Sequence, residues 1–155
     1  LSEQKGVTRK ELAQAFGCKV IAWNRTPKEV ENVTLVDKET LFRESDIVTL
    51  HIALNDETRD FITKKELGMM KPSAIIVNAA RGPIINSSDL AESLKNGRIA
   101  GAALDVYDNE PPLKNDNPLL SAPNTILLPH IGFATKEAFE TRLKIIVSNI
   151  ERFLE

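Results

Sequence analysis

Arg81, Glu110 and His130 are the residues of this 155-residue chain whose types and settings could do chemistry together. Arg81 stands in VNAARGP, directly after a β-branched apolar run, with Gly82 behind it. Glu110 lies in GAALDVYDNEPP, Gly101 to Pro112, and His130 in LLPHIGFAT, Leu127 to Thr135. Each follows a segment of strand length, and strand ends are where an α/β sheet presents side chains to a ligand. A guanidinium grips a carboxylate through two parallel hydrogen bonds. A histidine passes a proton to or from an oxygen near neutral pH, and a carboxylate beside it fixes the ring tautomer and favours its protonated form. Such a set suits interconversion of a hydroxy acid and a keto acid, provided a cofactor carries the hydride that no side chain can carry.

Each residue also has a plainer reading. An arginine after a strand is more often a surface ion-pair member. His130, between Pro129 and Ile131-Gly132, could satisfy backbone carbonyls in a turn, and Glu110 ahead of Pro111-Pro112 could be a solvated loop acid. Their joint occurrence favours a site, because independent coincidences multiply.

The elements that must position them alternate. Thr8 to Phe16 reads as a helix with Leu12, Ala13 and Phe16 on one face and Gly17 as its stop. A strand from Lys19 to Trp23 follows, with Cys18 at its start expected as a small core residue. Helices are expected over Lys38–Glu44, Lys64–Met70 and Ser88–Asn96, the last capped by Ser87 or Ser88 and ended by Gly97. Strands are expected over Ile47–His51, Ala74–Asn78, Ile99–Leu104 and Thr125–Leu128. A long amphipathic helix, Lys136 to Leu154, carries Phe139, Leu143, Ile146, Val147, Ile150 and Phe153 on one side. Short apolar strands separated by helices imply a parallel sheet covered on both faces, a Rossmann-like, doubly wound α/β domain.

Composition narrows the function classes. A net charge of -2 without a basic stripe offers no footprint for nucleic acid. No long apolar span or signal-like start points to a membrane. Cys18 is the single cysteine, so no internal disulfide forms and a reducing cytoplasm is the expected setting. No metal-ligand cluster is expected.

With its three motifs in order and spacing, from about Gly6 to Glu155, the chain resembles the D-isomer-specific 2-hydroxyacid dehydrogenases. The resemblance implies an NAD(P)-dependent oxidoreductase in which Arg81 holds the substrate carboxylate, His130 is the acid/base and Glu110 supports it. Asp105, in ALDVYDNEP, is similar to the aspartate that helps seat the nicotinamide. By the same positional carry-over, Ala79, Ala80, Arg81, His130 and Gly132 would line the cofactor. His51 and Ala53 would do so from HIAL, which resembles an LHxPL turn with alanine in place of proline and is therefore less rigid. Phe133 is bulkier than the small residue common there, and would narrow the substrate pocket or turn into the core.

The resemblance departs most at the pyrophosphate end. Gly6 falls on the third glycine of G-x-G-x-x-G, while Leu1 and Glu3 fall on the first two, which breaks the fingerprint. The first strand would lie before residue 1. Residues 1–155 are thus expected to form one NAD(P)-binding domain, incomplete, with its first strand and the substrate-binding domain absent. After the second strand, Asn24 replaces the acid that NAD-preferring relatives carry for the ribose 2′-hydroxyl, and Arg25 with Thr26 suits a phosphate, which leans the expectation to NADP over NAD. The implied partners are a small 2-hydroxy or 2-keto acid and a second copy in a homodimer. Two rival readings are a non-catalytic nucleotide-binding module of the co-repressor type and a truncated reading frame without independent function.

Overall fold

The computed structural model describes residues 8–26, 31–110 and 113–154. Helix α1, Arg9–Ala15, starts with a capping box: the Thr8 side chain accepts from the Glu11 N–H, and Glu11 accepts from the Thr8 N–H at 2.7 Å. It stops in a Schellman turn. Gly17, at φ +79, donates to the Gln14 carbonyl at 2.9 Å and Cys18 to the Ala13 carbonyl at 3.1 Å. That turn corrects the expectation for Cys18, which is exposed. Its backbone closes the helix, so the strand begins three residues later, and the thiol never reaches the core.

Strand β1, Ile21–Ala22, pairs in parallel with β2, Thr34–Leu35, as a two-stranded sheet of its own. The longer strand expected over Lys19 to Trp23 is cut to two residues: among the described residues it has a neighbour on one side alone, which holds few ladder bonds. The chain continues through α2 (Lys38–Glu44), β3 (Ile47–Leu50), α3 (Lys64–Met69), β4 (Ile75–Asn78), α4 (Ser87–Lys95), β5 (Gly101–Leu104), β6 (Thr125–Leu127) and α5 (Lys136–Leu154). Short 3-10 helices cover Gly82–Ile84 and Pro118–Ser121. Asn86, and neither Ser87 nor Ser88, caps α4: its side-chain oxygen accepts from the Asp89 N–H at 3.1 Å, and asparagine serves this role as well as serine. Gly97 ends the helix at φ +62, as its position suggested.

Strands β3 to β6 form one parallel sheet in sequential order. Leu50 sits opposite Asn78, Asn78 opposite Leu104, and Leu104 opposite Leu127. Side chains alternate across a strand, so Val48, Leu50, Ile76, Ala102 and Leu104 point to one face, where they bury against Phe42 of α2, Leu67 of α3 and Leu90 and Leu94 of α4. The other face carries exposed Ile47, Ile75 and Ile126. The sheet is therefore covered on one face among the described residues. The two helices outside this core, α1 and α5, bury no residue, and Leu12, Phe16 and the apolar stripe of α5 are exposed.

Candidate active site

The parallel register carries the carboxyl ends of β3, β4, β5 and β6 to one edge of the sheet. The segments that follow them contain His51 and Ala53, Ala79 to Arg81, Asp105 to Glu110, and His130 to Gly132. Residues from His51 to Gly132 are thus carried to one edge because the strands run the same way.

Glu110 and His130 come together. His130 Nδ1 lies 2.5 Å from Glu110 Oε2, with the two side chains 40% and 21% exposed respectively. The other Glu110 oxygen accepts from the Tyr107 backbone N–H, so the carboxylate is braced by its own loop. Engagement of Nδ1 leaves Nε2 as the nitrogen that faces away from the carboxylate.

His130 has φ +55, a conformation that costs a β-carbon-bearing residue on the order of 1 kcal/mol. Asp105 holds it there. Buried at the end of β5, its carboxylate accepts from the backbone N–H groups of Ile131 at 2.9 Å and Gly132 at 2.7 Å. A β-carbon at Gly132 would stand 2.8 Å from that carboxylate, so a larger residue there would push Asp105 out of place. Phe133 settles beside the histidine and not in the core: its ring meets the His130 ring edge-on at 5.7 Å, with Phe139 and Arg142 of α5 against it.

Asn78, a residue the sequence reading passed over, builds the turn that carries Arg81. It is buried, accepts from the Ala80 N–H at 3.0 Å and donates to the Arg81 carbonyl at 2.9 Å. The available signal was an amide ending a strand of β-branched residues. Gly82 presses on the neighbouring loop, where a β-carbon would lie 2.0 Å from the Tyr107 carbonyl carbon. The Arg81 turn and the Glu110 loop are therefore in backbone contact. Tyr107 adds a third tie by donating its hydroxyl to the Leu128 carbonyl at 2.9 Å. Burial, then the charges of Asp105 and Glu110, raises the Tyr107 phenol above its ordinary value and keeps that donor protonated. The Arg81 guanidinium itself is exposed and donates to the Ala80 carbonyl at 2.6 Å; it is not in hydrogen-bond contact with Glu110 or His130.

At the other residues expected around a cofactor the picture is mixed. His51 is exposed over much of its surface, with Nε2 3.1 Å from the Thr49 hydroxyl, and partial desolvation of the ring, followed by the Arg9 charge, lowers it below the ordinary histidine value. The Ala53 carbonyl accepts from Thr58 at 2.7 Å, and Ala79 is exposed. Asn24 and Thr26 are exposed, and Arg25 forms an ion pair with Glu57. Gly6, with Leu1 and Glu3, lies outside the described residues. No group of histidine, cysteine, aspartate and glutamate suits a metal, and no helix is long and apolar enough to cross a membrane, among the described residues.

A family model described as "D-isomer specific 2-hydroxyacid dehydrogenase, NAD binding domain" matches residues 5–132. The chain belongs to that family. A hydroxypyruvate reductase of Blautia hydrogenotrophica is 42% identical over 148 residues, covering 94% of this chain and 46% of the relative. Among solved structures, an acyclic imino acid reductase in complex with NADPH and D-Arg has a TM-score of 0.82 at 37% identity, over 93% of this chain and 46% of that one. A D-isomer specific 2-hydroxyacid dehydrogenase from Lactobacillus delbrueckii ssp. bulgaricus, in its NAD complexed form, has a TM-score of 0.79 at 31% identity, over 90% and 46%. This chain spans about half the length of these relatives.

The family is an oxidoreductase family with an NAD(P)-binding Rossmann domain, and the sheet edge described above carries polar groups that could receive part of such a cofactor. Asp105 is a buried carboxylate whose oxygens keep lone pairs beyond the two N–H bonds they accept, and Gly132 offers a surface without a side chain beside it.

Proposed function

We propose that this chain is the catalytic domain of an NAD(P)-dependent dehydrogenase of D-2-hydroxy acids, run in reverse as a reductase of 2-keto acids. The 2.5 Å approach of Glu110 to His130, at the edge that also presents Arg81, carries this reading. A nicotinamide dinucleotide supplies the hydride when bound. Asp105, Ala79, Ala80 and Gly132 hold its nicotinamide end, with His51 and Ala53 on the adjacent loop. Arg81 binds the substrate carboxylate and so fixes the neighbouring carbon. His130, presented through Nε2, takes the hydroxyl proton in oxidation and returns it in reduction, while Glu110 holds the ring tautomer and steadies the imidazolium. Asn24, Arg25 and Thr26, taken alone, lean toward NADP. A cytosolic setting and a second copy as partner belong to the same proposal.

Titration with NADH and NADPH, followed by keto-acid reduction read from reduced nicotinamide, tests it. Saturable binding and a loss of about 100-fold or more in turnover for His130→Ala, with the fold intact, is the expected result. Turnover unchanged in that variant removes His130 from the mechanism. Binding without turnover of any keto acid favours the co-repressor type of module.

A further inference from the structure

We infer, on the NAD(P) reading above, that Glu57 sets the nucleotide preference of this domain, opposing NADP by occupying Arg25. Asn24 leaves the end of β1 without an acid, and Arg25 beside it is the cation that would meet a 2′-phosphate. Its partner in the structure is Glu57 from the loop after β3, 32 residues away.

Both sides of this ion pair are fastened. The Trp23 ring packs on Phe61 with centroids 5.0 Å apart, which holds the chain end that bears Arg25 against the 55–61 segment. On the other side, the Asn55 side chain accepts from the Glu57 and Thr58 N–H groups, each at 3.0 Å, and the largely buried Thr58 ties back to the Ala53 carbonyl at 2.7 Å. Glu57 thus projects from an Asx turn of defined shape and not from a slack loop. With 63% and 71% of the two side chains exposed, the pair itself adds little stability, so a ligand can reach it. What the pair changes is the charge a ligand meets.

A 2′-phosphate carries nearly two negative charges at neutral pH and would have to displace a carboxylate to reach Arg25. A ribose 2′-hydroxyl, by contrast, can donate to that same carboxylate, as it does to the acid at a strand end in NAD-preferring sites. Glu57 supplies from a neighbouring loop the charged carboxylate that Asn24 lacks.

The test is the ratio of dissociation constants for NADPH and NADH, measured by quenching of Trp23, the single tryptophan of the chain. The unaltered protein is expected to bind NADH at least as tightly as NADPH. Glu57→Gln should move the ratio toward NADPH by about tenfold, and adding Arg25→Gln should abolish that shift. An unchanged ratio in Glu57→Gln, or a shift that survives loss of Arg25, overturns the inference while leaving the cofactor reading intact. Failure of every form to bind either nucleotide overturns the cofactor reading and this inference together.

Discussion

Asn78 spends both ends of its amide on a single turn, and the position of Arg81 depends on it. Replacement by leucine keeps the branched shape of the side chain and leaves the Ala80 N–H and the Arg81 carbonyl without their partner. The expected cost is about 2–3 kcal/mol in urea unfolding, because an unpaired backbone group near the core loses its hydration without compensation. Equal stability of the leucine variant would show that the turn stands without Asn78. Asp105 works the same way on the next loop, gathering two N–H groups to keep His130 at positive φ. Arg81, Glu110 and His130 were legible from their types and neighbours. Asn78 and Tyr107 were not, since their value lies in backbone groups that become neighbours only after folding.

Between elements, the tie that links α2 to α3 has a pH dependence with a definite sign. Burial, the largest single influence on Glu66, would raise its carboxyl. The Lys38 ammonium at 2.9 Å, the Thr63 N–H at 3.0 Å and the Thr63 hydroxyl at 2.8 Å together outweigh it and bring Glu66 down to about 2. A folded value below the unfolded one means stability that is present above about pH 4.5 and lost as pH falls toward 2. Unfolding of the native protein and of Glu66→Gln should therefore differ on the order of 3 kcal/mol at pH 6 and converge near pH 2; a constant difference across that range would place the stability elsewhere. Helices α2, α3 and α5 were readable almost to the residue, because a cap residue, a 3.6-residue period and a stop signal are all local. The shortening of β1 was not, since strand length depends on a neighbour that local sequence does not name.

At the scale of the whole molecule, the described residues present two apolar surfaces, the sheet face with Ile47, Ile75 and Ile126 and the α5 stripe with Phe139, Leu143, Ile146 and Phe153. Contiguous apolar area on this scale favours association. Sedimentation velocity should show concentration-dependent dimers or larger species, with the double substitution Leu143→Glu and Ile146→Glu shifting the distribution toward monomer by several-fold. A strict monomer at high concentration would remove the α5 face as an association surface. Two separate sheets, with the β1–β2 ribbon joined to the larger body by the Trp23–Phe61 contact and the Arg25–Glu57 pair, also locate the adenosine end of the proposed site on the less supported part of the chain.

The sequence by itself determined most of the order of helices and strands, the parallel α/β class and the family, and it pointed to the three residues proposed for chemistry, because each rests on local periodicity, capping or a motif of fixed spacing; the two-residue strand β2, Thr34–Leu35, carries no such pattern and was not legible. Only the tertiary structure decided that Glu110 meets His130 through Nδ1, that Asp105 fastens the loop of His130, that one sheet face lies open among the described residues, that Cys18 is exposed, and that Arg25 is claimed by Glu57. These are contacts between segments 20 to 32 residues apart, or matters of which surface finds a cover. Pairing and burial at that range follow from the three-dimensional path of the chain, which no local pattern encodes.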